Sequence, residues 1–283
     1  MLARKVIQQK VESMSEQRFV GQVAVITGGG KGIGRAIVRR LAAEGATVAF
    51  CGREAAAIDA LVAKQRAFGH AVSGVALDVA DTAALQAWVE QVATAHGRLD
   101  ILVNNAGITG MSGIGFEPVT TMAFAEWQRV IDVNLSAAFA ASQIAARHMK
   151  DAGRGSIVNI SSVHAHVPNA LTPHYDAAKA GLEALTRSVA LYLGRFGVRC
   201  NAVAPGPVAV WEEAAGGDSY SPEERVEQAK STALRRFGKP AEVAGVVAFL
   251  CSDDAANMTG STVVVDGGTL IRQPGMNDGS DVG

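Results

Sequence analysis

Seven short apolar runs, separated by stretches of helical period, constrain this chain more than any other feature. The runs are Val23–Ile26, Val48–Cys51, Val72–Leu77, Ile101–Val103, Ile157–Ile160, Val198–Ala204 and Thr262–Val265. They are rich in Val and Ile, too short for helices, and lack strict polar alternation. That pattern predicts strands buried on both faces, as in a parallel sheet. Parallel neighbours need crossover connections, and helices supply them. After Gly32, the residues Ile33, Ile37 and Leu41 recur every four positions as an amphipathic stripe, and Gly45 marks its end. The expectation is an α/β chain: one doubly wound parallel sheet of about seven strands with helices on both faces.

Residues 20–271 read as that single domain. Residues 1–19 read as a loosely ordered N-terminal extension, too charged for a signal peptide. Residues 108–120 form a Gly-rich loop, and 206–230, rich in Gly, Pro and acidic residues, read as a substrate lid. Residues 272–283 read as a polar tail.

Composition narrows the function. The 26 basic and 27 acidic side chains leave a net charge of -1, which gives no electrostatic case for nucleic acid or an anionic membrane. Aromatics at 5% also disfavour a base-stacking platform. No apolar run is long enough to span a membrane. Cys51, Cys200 and Cys251 are far apart and form no CxxC pair, so no metal or redox motif is spelled out. Sparse cysteines suit a reducing, cytoplasmic setting.

The first strand runs into Thr27-Gly28-Gly29-Gly30-Lys31-Gly32-Ile33-Gly34 before a helix begins. Glycines let the backbone turn tightly and approach a pyrophosphate, while the helix start offers free N–H groups and partial positive charge. The spacing is GxxxGxG, so it does not match the GxGxxG fingerprint. Dinucleotide folds that take NAD place a carboxylate at the end of the second strand, about 20 residues past the glycines. Here that strand ends Cys51-Gly52-Arg53, 18 residues from Gly34 to Gly52, with no acid. Arg53 can grip a 2′-phosphate, and Lys31 adds a second positive charge, so NADP(H) is expected over NAD(H).

Tyr175 and Lys179 stand i, i+4 on a predicted helix, one above the other. A free phenol titrates near 10, and an adjacent ammonium is expected to lower that value. Ser162 ends the fifth strand, at the sheet edge where open α/β folds bind ligands. Asn104-Asn105-Ala106-Gly107 follows the fourth strand at the same edge, and Asn134 sits in an apolar helix where an amide needs a reason to be.

Taken in order and spacing, the glycine loop, Asp78, Asn104–Gly107, Asn134, Ser162, Tyr175-x-x-x-Lys179 and Pro205-Gly206 resemble the short-chain dehydrogenases/reductases, over about residues 20–271. The resemblance implies a Rossmann-type fold and hydride transfer between a nicotinamide and a carbonyl or secondary alcohol. It implies Tyr175 as acid or base, Lys179 as its partner on the nicotinamide ribose, Ser162 as carbonyl-orienting, and Asn134 as holder of a relay water. It assigns cofactor contacts to Gly28, Gly30, Lys31, Gly32, Ile33, Gly34, Arg53, Asp78, Val79, Asn105, Ala106, Gly107, Pro205, Gly206 and Val208, and it implies a homotetramer. Val210 stands where the family often has a Thr bonded to the carboxamide.

Substrate identity is thinner. Acyl-carrier reductases of this family resemble one another in two arginines, and Ala140 and Leu191 occupy those places here. Ser161-Ser162-Val163-His164 is similar to the corresponding segment of glucose 1-dehydrogenases, so a sugar or polyol stands as alternative to a simple carbonyl, with a 3-oxoacyl thioester behind it. His164, His174 and Trp211 are the expected substrate-lining residues, and His164 with His166 reads as pocket lining or a surface loop rather than a metal pair. A non-catalytic NADP-binding sensor would be expected to lose Tyr175, Lys179 or Ser162, and all three are present.

Overall fold

The computed structural model describes residues 17–109, 115–210 and 221–272. Its strands are β1 (Val23–Ile26), β2 (Thr47–Gly52), β3 (Val72–Ala76), β4 (Ile101–Asn104), β5 (Gly155–Ile160), β6 (Val198–Pro205) and β7 (Thr262–Val265). They form one parallel sheet in the order β3-β2-β1-β4-β5-β6-β7. This is the Rossmann-type doubly wound sheet that the apolar runs predict.

The helices are α1 (Gly32–Ala43), α2 (Ala55–Ala67), α3 (Thr82–His96), α4 (Phe124–Ile131), α5 (Ala137–Ala152), α6 (Pro173–Leu193), α7 (Pro222–Ala229) and α8 (Pro240–Cys251). Alternate side chains of each inner strand feed opposite cores. From β1, Ala24 and Ile26 join Ile37 and Leu41 of α1 and Val247 and Leu250 of α8. Val23 and Val25 join Leu85 and Val89 of α3 and Ile144 and Met149 of α5 on the other face. Burying each large side chain contributes roughly 1.5–3 kcal/mol, and the polar residues buried on the inner strands are hydrogen-bonded, as Asn159 is to Asn104 and Thr186.

The ordered body begins before residue 20. Phe19 is fully buried in the α1–α8 core, its N–H donates to the Glu44 carbonyl, and Arg18 pairs with Glu44 at 2.6 Å. The expected extension therefore ends no later than residue 16; residues 1–16 and 273–283 lie outside the described residues. Among the described residues, no helix is long and apolar enough to cross a membrane.

Candidate active site

Strand order reverses between β2-β1 and β4-β5, and the chain leaves the carboxyl ends of β1 and β4 toward opposite faces of the sheet. A cleft of about 700 Å³ opens at this edge. One end is built from the glycine loop. Gly28 holds φ +69°, and a Cβ there would come within 2.8 Å of the Ala106 Cα. A Cβ on Gly34 would collide with the Gly28 carbonyl and the Asn105 amide. A Cβ on Gly30 or Gly52, by contrast, would make only ordinary contacts of 3.7–3.9 Å, chiefly with Ile58. No side chain caps the start of α1 at Lys31, which leaves first-turn N–H groups available beside the cleft.

The neighbouring strand fixes this loop. Asn105 Nδ2 donates to the carbonyls of Thr27 (3.0 Å) and Gly28 (2.9 Å), and the Thr27 hydroxyl accepts from the N–H groups of Asn105 and Ala106. Asn104 points the other way, into a buried chain with Ser142 and Asn159. Gly28, Gly30, Lys31, Ile33 and Gly34 line the cleft, as do Arg53, Asp78, Val79, Asn105, Ala106, Gly107, Pro205, Gly206 and Val208. Gly32 is not among them: it is buried at φ +52°, and a Cβ there would meet the Val210 side chain at 3.3 Å. The shape fits an extended dinucleotide lying across the glycine loop.

Arg53 is exposed at the end of β2. Lys31 is not a free charge: its Nζ lies 3.1 Å from Glu54 Oε1, with both side chains about two-thirds exposed at 66% and 64%. The sequence reading missed this pair, since nothing in the residue spacing shows which rotamers meet.

The other end of the cleft holds the reacting groups. Ser162, at the end of β5, caps a single 3₁₀ turn by accepting from the His164 N–H (3.2 Å), and its hydroxyl also hydrogen-bonds the Tyr175 phenol. Lys179 is buried one turn along α6 and donates to the Ile160 carbonyl at 2.9 Å, with its Nζ 5.5 Å from the Tyr175 ring centroid. Asn134 lies in a π turn, Asp132–Ser136, between α4 and α5. Its Nδ2 donates to Ile108 and Val130 carbonyls, while its buried Oδ1 has no partner among the described residues. A Cβ on Gly107 would sit 2.8 Å from that Oδ1 and 3.6 Å from Lys179 Nζ, so Gly107 marks the point where the two polar groups converge.

Three expectations need correction. Lys179 does not lower the Tyr175 pKa here. Burial pushes the phenol up to about 12, with the Ser162 hydrogen bond opposing it and the Asp176 carboxylate adding to it. Burial also pushes the Lys179 amine down to about 8. The ammonium spends a bond on Ile160 rather than on the phenol oxygen, so desolvation outweighs its attraction. Secondly, His174 is fully buried and is not part of the cleft wall; among the described residues neither ring nitrogen meets a hydrogen-bond partner. One residue along a helix turns a side chain about 100°, so adjacency to Tyr175 sends His174 inward. Thirdly, Gly32 shapes the loop without lining the cleft. His164 does line it, and Trp211 lies outside the described residues. Asp176, Asn169, Thr172 and Arg129 were not singled out from sequence, although Asn169, Thr172 and Arg129 also line the cleft.

Residues 28–269 match the family model described as enoyl-(acyl carrier protein) reductase. The chain belongs to the short-chain dehydrogenase/reductase family. Glucose 1-dehydrogenase 2 of Bacillus subtilis is 37% identical over 256 residues, which are 89% of this chain and 96% of that protein. A 3-alpha-(or 20-beta)-hydroxysteroid dehydrogenase of Mycobacterium tuberculosis is 38% identical over 260 residues, 89% of this chain and 91% of that one. The solved short-chain dehydrogenase/reductase from Serratia marcescens superposes with a TM-score of 0.81 at 38% identity, covering 89% of this chain and 99% of the other. This short-chain dehydrogenase/reductase is therefore an oxidoreductase of alcohols and carbonyls that uses a nicotinamide cofactor.

Proposed function

We propose that this short-chain dehydrogenase/reductase is an NADP(H)-dependent reductase of carbonyl compounds, and in reverse a dehydrogenase of secondary alcohols. The observation that carries this reading is the convergence of Ser162, Tyr175, Lys179 and Asn134 on one end of a cleft whose other end is a glycine loop. When bound, the nicotinamide supplies or takes up the hydride. Tyr175 gives its phenolic proton to the carbonyl oxygen in reduction and takes it from the alcohol in oxidation. Ser162 bonds the same oxygen and holds it at the phenol.

Lys179, with a pKa of about 8, changes charge close to working pH and can hand a proton toward Tyr175. The free Oδ1 of Asn134 is placed to accept from a water that joins Lys179 to solvent. Arg53 at the cleft rim, with no carboxylate at the end of β2 itself, favours the 2′-phosphate of NADP. Pro207, Val208 and Val210, at the start of the expected lid 206–230, border the cleft; residues 211–220 of that segment lie outside the described residues. Exposed Phe139 on α5 and Leu191 and Tyr192 on α6 support assembly into a homotetramer.

The test is absorbance at the nicotinamide band with NADPH and NADH side by side, against aryl ketones, diketones, a 3-oxoacyl thioester and sugar lactones, with glucose and oxidised cofactors as the reverse arm. Oxidation of NADPH faster than NADH by one carbonyl class is expected. Equal rates would remove the NADP preference, and tight cofactor binding with no turnover would favour a sensor.

A further inference from the structure

His164 and Asp176 form a pair on the substrate side of the cleft that proton transfer does not use. His164 Nδ1 lies 2.7 Å from Asp176 Oδ1. The Asp176 carboxylate is buried and collects two more donors, the Thr172 hydroxyl at 3.1 Å and the Asn169 N–H at 2.8 Å. A carboxylate that draws three donors from the 164–172 segment holds the imidazole in one orientation. The neutral ring then carries its proton on Nδ1, and among the described residues Nε2 has no protein partner.

The placement is specific. The His164 ring meets the Tyr175 ring edge-on, with centroids 5.5 Å apart and an interplanar angle of 76°. Its backbone N–H bonds the Ser162 hydroxyl, and its side chain lines the same cleft. Asn169 stands beside it on the cleft wall, with Oδ1 committed to the Leu171 N–H at 2.9 Å. Ser162 and Tyr175 take the reacting oxygen, and the imidazole lines the same cleft beside them.

We propose that His164, held by Asp176, is the subsite for a hydroxyl on the carbon next to the reacting one. The preferred substrates are then α-hydroxy ketones, and vicinal diols in reverse. This rests on the reductase reading above. A hydroxyl suits the site in either charge state, because it donates to neutral imidazole and accepts from imidazolium. A carboxylate would be matched only by the imidazolium. His164 touches substrate in this account, and Asp176 is a positioning residue.

The test compares two ketones of one skeleton, 2-hydroxyacetophenone and acetophenone, with wild type and His164→Phe, His164→Gln and Asp176→Asn. Wild type is expected to favour the hydroxy ketone in kcat/KM. His164→Phe should cut that preference about tenfold, mostly through KM, as expected for one lost hydrogen bond. His164→Gln, which keeps a polar group, should restore part of it, and Asp176→Asn should give a smaller loss of the same preference. An unchanged ratio in His164→Phe overturns the subsite while acetophenone turnover keeps the reductase reading. A second arm needs no turnover: calorimetric Kd values of 1-phenylethane-1,2-diol and 1-phenylethanol for the protein saturated with NADP+. Tighter binding of the diol, lost in His164→Phe, supports the subsite even if neither ketone is reduced. Equal Kd values for the two alcohols in wild type overturn it. If Asp176→Asn fails to fold, the two His164 variants carry the test alone.

Discussion

The two ends of the cleft use polar groups in opposite ways. At the glycine-loop end, Lys31, Arg53, Glu54 and Asp78 are exposed, and their charges stay in water. Ion pairs held there contribute little and are screened by salt, so this end recognises mainly through backbone shape. At the reacting end, Lys179 and Asn134 are 4% and 1% exposed, and burial shifts both the phenol and the amine far from their ordinary values. Desolvation there costs stability; it brings the Lys179 amine toward working pH and keeps the Tyr175 phenol protonated. Substitutions at the reacting end should therefore act in large steps on chemistry, and those at the rim in small steps on affinity.

The sharpest break of that contrast is Tyr175→Phe. Removing the phenolic oxygen should lower kcat on the order of a thousandfold while the NADPH Kd stays within a few-fold. Stopped-flow turnover and fluorescence titration of NADPH give the two numbers. A variant that keeps its rate would show that another group delivers the proton.

Lys179→Met comes next, because it separates function from stability. Below pH 8 the folded protein must hold a buried ammonium that the unfolded chain keeps in water. The folded pKa of about 8 lies below the ordinary 10.5, so this penalty is full at low pH. It fades as pH rises from 8 to 10.5, where the unfolded chain also loses the proton. Relieving it is offset by leaving the Ile160 carbonyl unpaired, so the variant should be about 2 kcal/mol more stable than wild type at pH 7. It should also be far less active. Urea unfolding of both proteins across pH 7–10.5 reads the difference, and Tyr175 titrates in both, so Lys179 is isolated. A variant less stable at pH 7, with a gap that ignores pH, would show that burial does not strain this amine.

At the rim the effects shrink. Arg53→Ala should weaken NADPH about tenfold, the scale of one charge-assisted bond, and move NADH by less than twofold. Isothermal titration with both cofactors measures it. Equal losses on the two would take Arg53 away from the 2′-phosphate.

What the sequence could tell divides along the same line between local periodicity and contact through space. The inner strands were legible because burial on both faces favours runs rich in Val and Ile, and the edge strand β7, only partly buried, because Thr262–Val265 keeps three valines. The edge strand β3 is the looser case: Ser73, Gly74 and Ala76 are exposed, and the expected strand ran one residue too far, to Leu77. Tyr175 and Lys179 were legible because i, i+4 fixes a shared helix face, and Ser162 because a strand end fixes a sheet edge. The π turn that orients Asn134 has no signature in the period of the helices around it. Nor does the inward turn of His174, which depends on helix phase rather than on its neighbour. Residues 12 and 23 positions apart make the His164–Asp176 and Lys31–Glu54 pairs, and only the packed loops bring them together.

The Lys31–Glu54 pair gives the smallest prediction and the finest test of the rim. Lys31 lines the cleft, yet its ammonium is 3.1 Å from a carboxylate that would repel a 2′-phosphate. Glu54 thus acts twice against NADPH, by occupying Lys31 and by its own charge. Both side chains are largely exposed, so water and salt blunt each effect. Glu54→Gln should therefore tighten NADPH only about twofold to threefold at low ionic strength, with NADH unmoved, and the gain should vanish by about 0.5 M salt. A titration series in NaCl measures this. If NADPH affinity does not respond even at low salt, Lys31 lies outside the field of the phosphate, and discrimination between the cofactors falls to Arg53 alone. If it responds by tenfold or more, the rim is less solvated than its exposure implies, and the contrast between the two ends of the cleft narrows.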